Sequence, residues 1–178
     1  RRRMTGPLRL RLLRSDDASV MRVWIAEYLT EHLRWWSESL GEAPWSDERI
    51  QEHLDAHDLV GVHWRDLERA RESTECFVRV ACDAERPMGV VSAELRLDRY
   101  LKVQMGVIAW VYVAPEDRRQ GIANRLLEAA EGWMTWKDVA GRELFVTHAN
   151  APALEAYRKR GFRLVDDRML GPPPRQED

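Results

Sequence analysis

Cysteine is almost missing from this chain, which has it only at positions 76 and 82. The two stand six apart in a segment that reads as a strand. They share a face there but lie about 20 Å apart, too far for a disulfide. Two reduced core thiols follow, and with them an expectation of the cytoplasm. Neither has a second Cys or His at ligand spacing, so no metal site is expected. Long apolar runs are lacking too: none approaches the roughly 18 residues of a membrane span. The start, Arg1 to Met4, has no apolar h-region of a secretory signal. The glycines of a Walker or dinucleotide fingerprint are also missing, which sets those nucleotide-binding folds aside. Net charge is only −2, arguing for neither nucleic acid nor membrane as a partner.

What is present is an ordinary globular composition: 178 residues, 44% hydrophobic and 33% charged. That length supports one core without disulfide staples. A single domain is expected over residues 7–170, with flexible tails at 1–6 and at the proline-rich 171–178. Charge is unevenly spread. From Glu27 to Glu75 there are 13 acids and 5 arginines, so this stretch carries −8 and the rest +6. Two readings stand: solvated helix faces, or an acidic half that receives a cation beside a basic half that holds an anion.

Period-two alternation marks Leu8–Leu13 as a first strand. Ser15-Asp16-Asp17 supplies an N-cap and acidic first turn for a helix to about Leu29. Helical pieces follow over Glu31–Leu40, stopped by Gly41, from Ser46 onward, and over about Trp64–Arg71. The period then changes. Cys76–Ala81 and Met88–Leu97 read as strands joined by a turn over Asp83–Pro87. Met105–Val113 is apolar enough for a central strand covered on both faces. A helix over 122–137, a strand over Leu144–Thr147, and a helix over Asn150–Arg160 ending at Gly161 come next. Phe162–Val165 and Arg168–Leu170 are expected to close the chain as strands. The order is α+β, with a parallel pair where Met105–Val113 crosses through a helix to Leu144–Thr147.

The densest chemical signal is Val113-Ala-Pro-Glu-Asp-Arg118-Arg119-Gln120-Gly121-Ile122-Ala123. A strand runs into a turn, and the turn opens a helix with small residues first. Free amides from Arg119 to Asn124 converge there, arginines flank them, and Gly121 puts no side chain in the way. That is a place for a diphosphate. The helix dipole adds roughly 0.3–1 kcal/mol, and Arg118 and Arg119 add charge-assisted contacts.

Arg118-x-x-Gly121-x-Ala123 after a strand, followed by Asn150-x-x-Ala153-x-x-x-Tyr157-x-x-x-Gly161-Phe162, resembles the GCN5-related N-acetyltransferase superfamily. The resemblance is sharp over about 105–165, looser over 8–30 and 76–97, and absent over 31–75. It implies a central mixed, mostly antiparallel sheet with helices on both faces and a splayed parallel strand pair holding acetyl-CoA. The coenzyme's diphosphate would meet Arg118, Arg119, Gln120, Gly121, Ile122, Ala123 and Asn124. Backbone groups of Val111 and Val113 would pair with its pantetheine arm, and an amide near Val111 would polarise the acetyl carbonyl. Asn150 would bond the same arm, and Tyr157, two turns on and on the same helix face, would protonate the departing thiolate.

One departure from the family pattern concerns the base. Many relatives carry a glutamate on the strand before the phosphate loop, and Met105–Val113 holds no acid. Glu94 on the preceding strand is the substitute, acting through a water, and His148 is the second candidate. For Glu94 a plain solvent-facing role is equally open. Trp24, Trp35, Trp36, Trp45 and Trp64 fall within 41 residues, as core or as walls of an acceptor cleft. The resulting expectation is direct transfer of acetyl from acetyl-CoA to a primary amine: a peptide N-terminus, a lysine, a polyamine or an amine small molecule. No cysteine lies in either cofactor motif, which disfavours a covalent acyl-enzyme. A non-catalytic acyl-CoA sensor on the same scaffold is the alternative. A homodimer is left open, and the scarcity of lysine (positions 102, 137 and 159 only) fits a GC-rich bacterial genome.

Overall fold

The computed structural model describes residues 6–40, 43–166 and 168–170. In chain order the elements are β1 (Arg9–Arg11), α1 (Ala18–Glu38), α2 (Asp47–Ala56), α3 (Leu59–Glu72), β2 (Cys76–Asp83), β3 (Arg86–Leu97), β4 (Gln104–Val113), α4 (Ile122–Trp136), β5 (Gly141–Leu144) and α5 (Ala151–Lys159). Short 3₁₀ turns at Ser15–Asp17 and Pro115–Asp117 precede α1 and α4. The chain divides into two compact units, Arg1–Trp24 with Gly61–Phe145, and Ile25–Val60 with Val146–Asp178.

The first unit holds a five-stranded sheet in the order β1-β2-β3-β4-β5. Neighbours are antiparallel except β4 and β5, which are parallel. Helix α4 covers one face: Phe77 stacks on Trp133 with ring centroids 5.6 Å apart, and Leu126 and Met134 are buried. On the other face Trp24 of α1 meets Tyr112 at 5.5 Å, and His63 of α3 meets Trp110 at 5.1 Å. The α+β class and the parallel pair are therefore as expected.

In β4, Ser92 pairs with Trp110 while Ala93 pairs with Ile108, leaving Ala109 as an extra residue. This β-bulge reverses the strand's alternation. Before it, Gly106 faces Met134 of α4. Beyond it, Trp110 and Tyr112 face the α1 and α3 side. Gly89 shows how close this sheet is packed, since a Cβ there would stand 2.7 Å from the Tyr112 carbonyl oxygen.

Two ion pairs brace the strand ends. Arg11 binds Asp17 through two 2.7 Å bonds, and Asp17 Oδ2 also accepts from the Arg14 amide at 2.9 Å. Arg86 binds the fully buried Asp117 at 2.6 and 3.0 Å, tying the start of β3 to the turn before α4.

The second unit comprises most of α1, α2 and α5. Ile25, Ile50 and Leu54 are its buried apolar residues on the helices. Ser37 is buried too and accepts from the Trp45 amide at 3.0 Å. Ser46 caps α2, where the expected helical piece begins, its hydroxyl accepting from the Arg49 amide at 3.2 Å.

Several boundaries differ from expectation. Helix α1 runs unbroken through Leu29 and Thr30, because nothing there removes a helix hydrogen bond. Its cap is Arg14 and the 3₁₀ turn, not Ser15; the expected stop at Gly41 lies outside the described residues. The last strand is Gly141–Leu144 rather than Leu144–Thr147, since the ladder with Met105–Ile108 starts at Gly141. Phe162–Val165 and Arg168–Leu170 form no strand. Apolar alternation cannot reveal whether a neighbouring strand exists to complete the ladder. Cys82 is buried as expected, but Cys76 is only half-buried. The expected tails at 1–6 and 171–178 lie outside the described residues apart from Gly6.

Candidate active site

The parallel ladder between β4 and β5 ends at Ile108 with Leu144, yet β4 continues to Val113. From Ala109 onward that edge of β4 has no β-strand beside it among the described residues. An open sheet edge is a template for an extended chain, and Val111 and Val113 lie on it. Arg118 Nε donates to the Val113 carbonyl at 3.1 Å, and its guanidinium stands 5.7 Å from the centre of the Tyr112 ring. Arg118 thus braces the strand exit while its side chain stays at the surface.

The turn that follows has two left-handed residues, Arg119 (φ 61°) and Gly121 (φ 78°), and Gly121 is the N-cap of α4. No side chain caps this helix, and its first intrahelical bond is from the Arg125 amide to the Gly121 carbonyl, 3.1 Å. The amides of Ile122, Ala123 and Asn124 come before that bond, where helix geometry leaves donors without partners. A Cβ built on Gly121 would meet nothing within 4 Å. Open space, leading amides, the positive end of a 15-residue helix and exposed Arg118 and Arg119 together fit a diphosphate. All seven residues expected from Arg118 to Asn124 lie on this one turn.

Glu94 is exposed on β3, paired in register with Cys76 of β2 and Val107 of β4. It lines a cleft of about 410 Å³ in the first unit. The cleft's floor is Cys76, Ser92, Ala109 and Trp110 of the sheet, and α3 supplies a wall with His63, Asp66 and Arg69. The cleft therefore reaches the β4 bulge itself. Asp66 is ion-paired to Arg69, whereas among the described residues Glu94 has no ion-pair partner. Burial pushes the His63 imidazole pKa down, with Asp66 partly opposing it.

Asn150 and Tyr157 stand on α5, in the second unit. Asn150 caps the helix, its Oδ1 accepting from the Ala153 amide at 3.3 Å. Tyr157 packs edge-on to Phe162 at 5.9 Å. Gly161, at φ 85°, turns the chain so that the Phe162 amide donates to the Tyr157 carbonyl at 3.1 Å. Burial, with a smaller effect of Tyr28, pushes the Tyr157 phenol pKa up to about 12. His148 is exposed in the loop before α5.

The tryptophans divide. Trp24 and Trp64 are core, Trp35 and Trp45 half-buried, and Trp36 is 45% exposed. Most described acids of the 27–75 stretch sit on exposed helix positions, as solvated faces do. Sequence reasoning missed the cleft residues of α3 and the Arg86–Asp117 brace. Asp117 lies within the motif, but nothing local marks its partner 31 residues away.

The acetyltransferase (GNAT) family model matches residues 27–162. No curated protein matches the chain in sequence. Among solved structures, the PaiA N-acetyltransferase from Thermoplasma acidophilum in complex with coenzyme A superposes with a TM-score of 0.68. It is 17% identical, over 92% of this chain and 94% of that one. A transcriptional regulator from Bacillus halodurans C-125 also gives 0.68, at 16% identity over 92% and 97% of the two chains. The aminoglycoside antibiotic 6′-N-acetyltransferase AAC(6′)-IG from Acinetobacter haemolyticus gives 0.61, at 16% identity over 96% and 99%. These likenesses show a common fold, and the family match extends over the open edge of β4, the left-handed turn and α5. The chain belongs to the acetyltransferase (GNAT) family, whose acyl donor is acetyl-CoA.

Proposed function

We propose that the protein transfers the acetyl group of acetyl-CoA directly to a primary amine, without an acyl-enzyme. The observation that carries this reading is the open β4 edge leading into the uncapped α4 terminus, with the cleft of Glu94 reaching the same bulge. Acetyl-CoA supplies an activated thioester carbonyl and a thiol leaving group.

The chain's residues then have the following roles. The amides of Gly121 to Asn124, with Arg118 and Arg119, hold the diphosphate, and backbone groups of Val111 and Val113 align the arm. An amide near Val111 stabilises charge on the carbonyl oxygen, worth about 10²–10³ in rate when well aimed. An alkylammonium with pKa near 10.4 is neutral only about once in 10³ at pH 7, a handicap of about 4–5 kcal/mol. Glu94 takes that proton through a water, and the freed nitrogen lone pair forms the amide bond as the carbon–sulfur bond breaks. His148 is the alternative base, and its exposure outside the cleft makes it the weaker one. Asn150 holds the arm, and Tyr157 provides the proton that the sulfur needs. A phenol at about 12 is fully protonated at any working pH. It is also a weaker acid than a thiol by roughly three units, or about 4–5 kcal/mol. Tyr157 therefore donates a hydrogen bond as charge builds on sulfur and completes the transfer late.

Among the described residues no helix is long and apolar enough to cross a membrane. The free thiols and the arginine bias support a bacterial cytoplasm as the setting. The test is thiol release from acetyl-CoA across a panel of amines, with wild type and Glu94→Gln. Wild type is expected to turn over at least one amine class, and the variant to lose about 10²–10⁴ in kcat/KM at pH 7. Binding of acetyl-CoA without turnover of any amine would favour the sensor instead.

A further inference from the structure

The cleft at the bulge carries a charge pattern that selects among amines. Its lining has two carboxylates, Asp66 and Glu94, and one guanidinium, Arg69. Asp66 forms an exposed ion pair with Arg69, so the lining carries a net charge of −1 and Glu94 is its carboxylate without an ion-pair partner among the described residues. The remaining surface is apolar or weakly polar: the Trp110 and His63 rings, in edge contact at 5.1 Å, with Leu67, Ala70 and Ala109. A volume of about 410 Å³ lies toward the small end of the ~300–1,000 Å³ range of small-molecule sites. A second or third ammonium on one ligand would find Arg69 instead of an acid, and like charges at close quarters repel.

We propose that this cleft binds the acceptor and that it takes amines with one cationic head on a compact aromatic or aliphatic body, in preference to polyamines and aminosugars. Glu94 receives the ammonium and the Trp110–His63 wall receives the body. The inference rests on the acetyl-transfer reading only in naming the bound molecule as the acceptor.

Cys76 makes the cleft directly observable, because it lines the cleft while Cys82 is buried. With desulfo-CoA in place of CoA, whose own thiol would consume the reagent, alkylation of Cys76 by iodoacetamide is followed by peptide mass spectrometry. Phenethylamine is expected to slow it about tenfold at saturation, and spermidine and kanamycin to leave it unchanged. In steady-state assays kcat/KM for phenethylamine should exceed that for spermidine by about tenfold or more. Ser92→Asp, which adds a carboxylate to the floor, should narrow that ratio by raising the spermidine value. Protection of Cys76 by phenethylamine with no thiol release from any amine would leave the cleft assignment standing and remove the transfer reading. Turnover of polycations with Cys76 equally reactive throughout would do the reverse and overturn the inference.

Discussion

Gly121 is the single residue on which the proposed diphosphate site turns. Its φ of 78° lies in the left-handed region, which costs an L-residue roughly 1–2 kcal/mol and a β-branched one more. Open space around it means that a larger side chain clashes with nothing in the protein and stands in the proposed diphosphate site. Gly121→Val is expected to keep its far-ultraviolet circular dichroism while acetyl-CoA affinity by calorimetry falls by more than tenfold. Unchanged affinity would remove the phosphate assignment. Tyr157 has the corresponding place in the proposed transfer step. Tyr157→Phe should lower kcat by about 10²–10⁴ with the acetyl-CoA KM little changed. Because the phenol titrates only near 12, the wild-type kcat profile should show no falling limb through pH 10. A falling limb near pH 10 that Tyr157→Phe abolishes would contradict the raised phenol pKa. These two positions were legible in the chain, since the Arg118–Ala123 and Asn150–Phe162 spacings point to them directly. Glu94 was legible only as a substitute for a missing acid, because its freedom from an ion pair depends on what α3 brings beside it.

At the scale of elements, the sheet's glycines separate backbone crowding from side-chain crowding. A Cβ at Gly89 would stand 2.7 Å from a backbone oxygen of β4, while one at Gly106 would stand 2.6 Å from Met134 side-chain atoms. Backbone in a central ladder cannot yield, but a methionine can change rotamer. Gly89→Ala is therefore expected to cost about 1–3 kcal/mol in urea denaturation, and Gly106→Ala clearly less; equal costs would refute the distinction. The Arg86–Asp117 brace predicts a second difference. Arg86→Met leaves the fully buried Asp117 unpaired and should cost about 3–5 kcal/mol, with weaker acetyl-CoA binding as the turn loosens. Arg86→Met with Asp117→Ala should restore part of the stability. Neither glycine's neighbour nor the brace can be read from local spacing, since each joins residues at least 23 positions apart. The misplaced β5 has the same origin: a four-residue strand is located by its partner ladder, and propensity alone shifted it by three residues.

For the whole molecule, ligand linkage gives the broadest check. A ligand that binds only the native state stabilises it by about 2.7 kcal/mol at 100 times its Kd. In a chain of this size that corresponds to a rise in Tm of roughly 5–10 °C. Acetyl-CoA should produce such a shift, and ATP and NAD at matched concentrations should not. A comparable shift with either nucleotide would overturn the family's cofactor in this protein. By itself the sequence determined the chemistry of the donor site. A strand, a turn and a helix start are contiguous in the chain, so the amides and arginines proposed to hold a diphosphate are local neighbours before any folding occurs. Only the tertiary structure decided the cleft proposed for the acceptor. The bulge at Ala109 and the meeting of Glu94 with Trp110, His63 and the local Asp66–Arg69 pair of α3 arise where distant segments pack. Charge and shape in that cleft are properties of the packing, and no single stretch of chain encodes them.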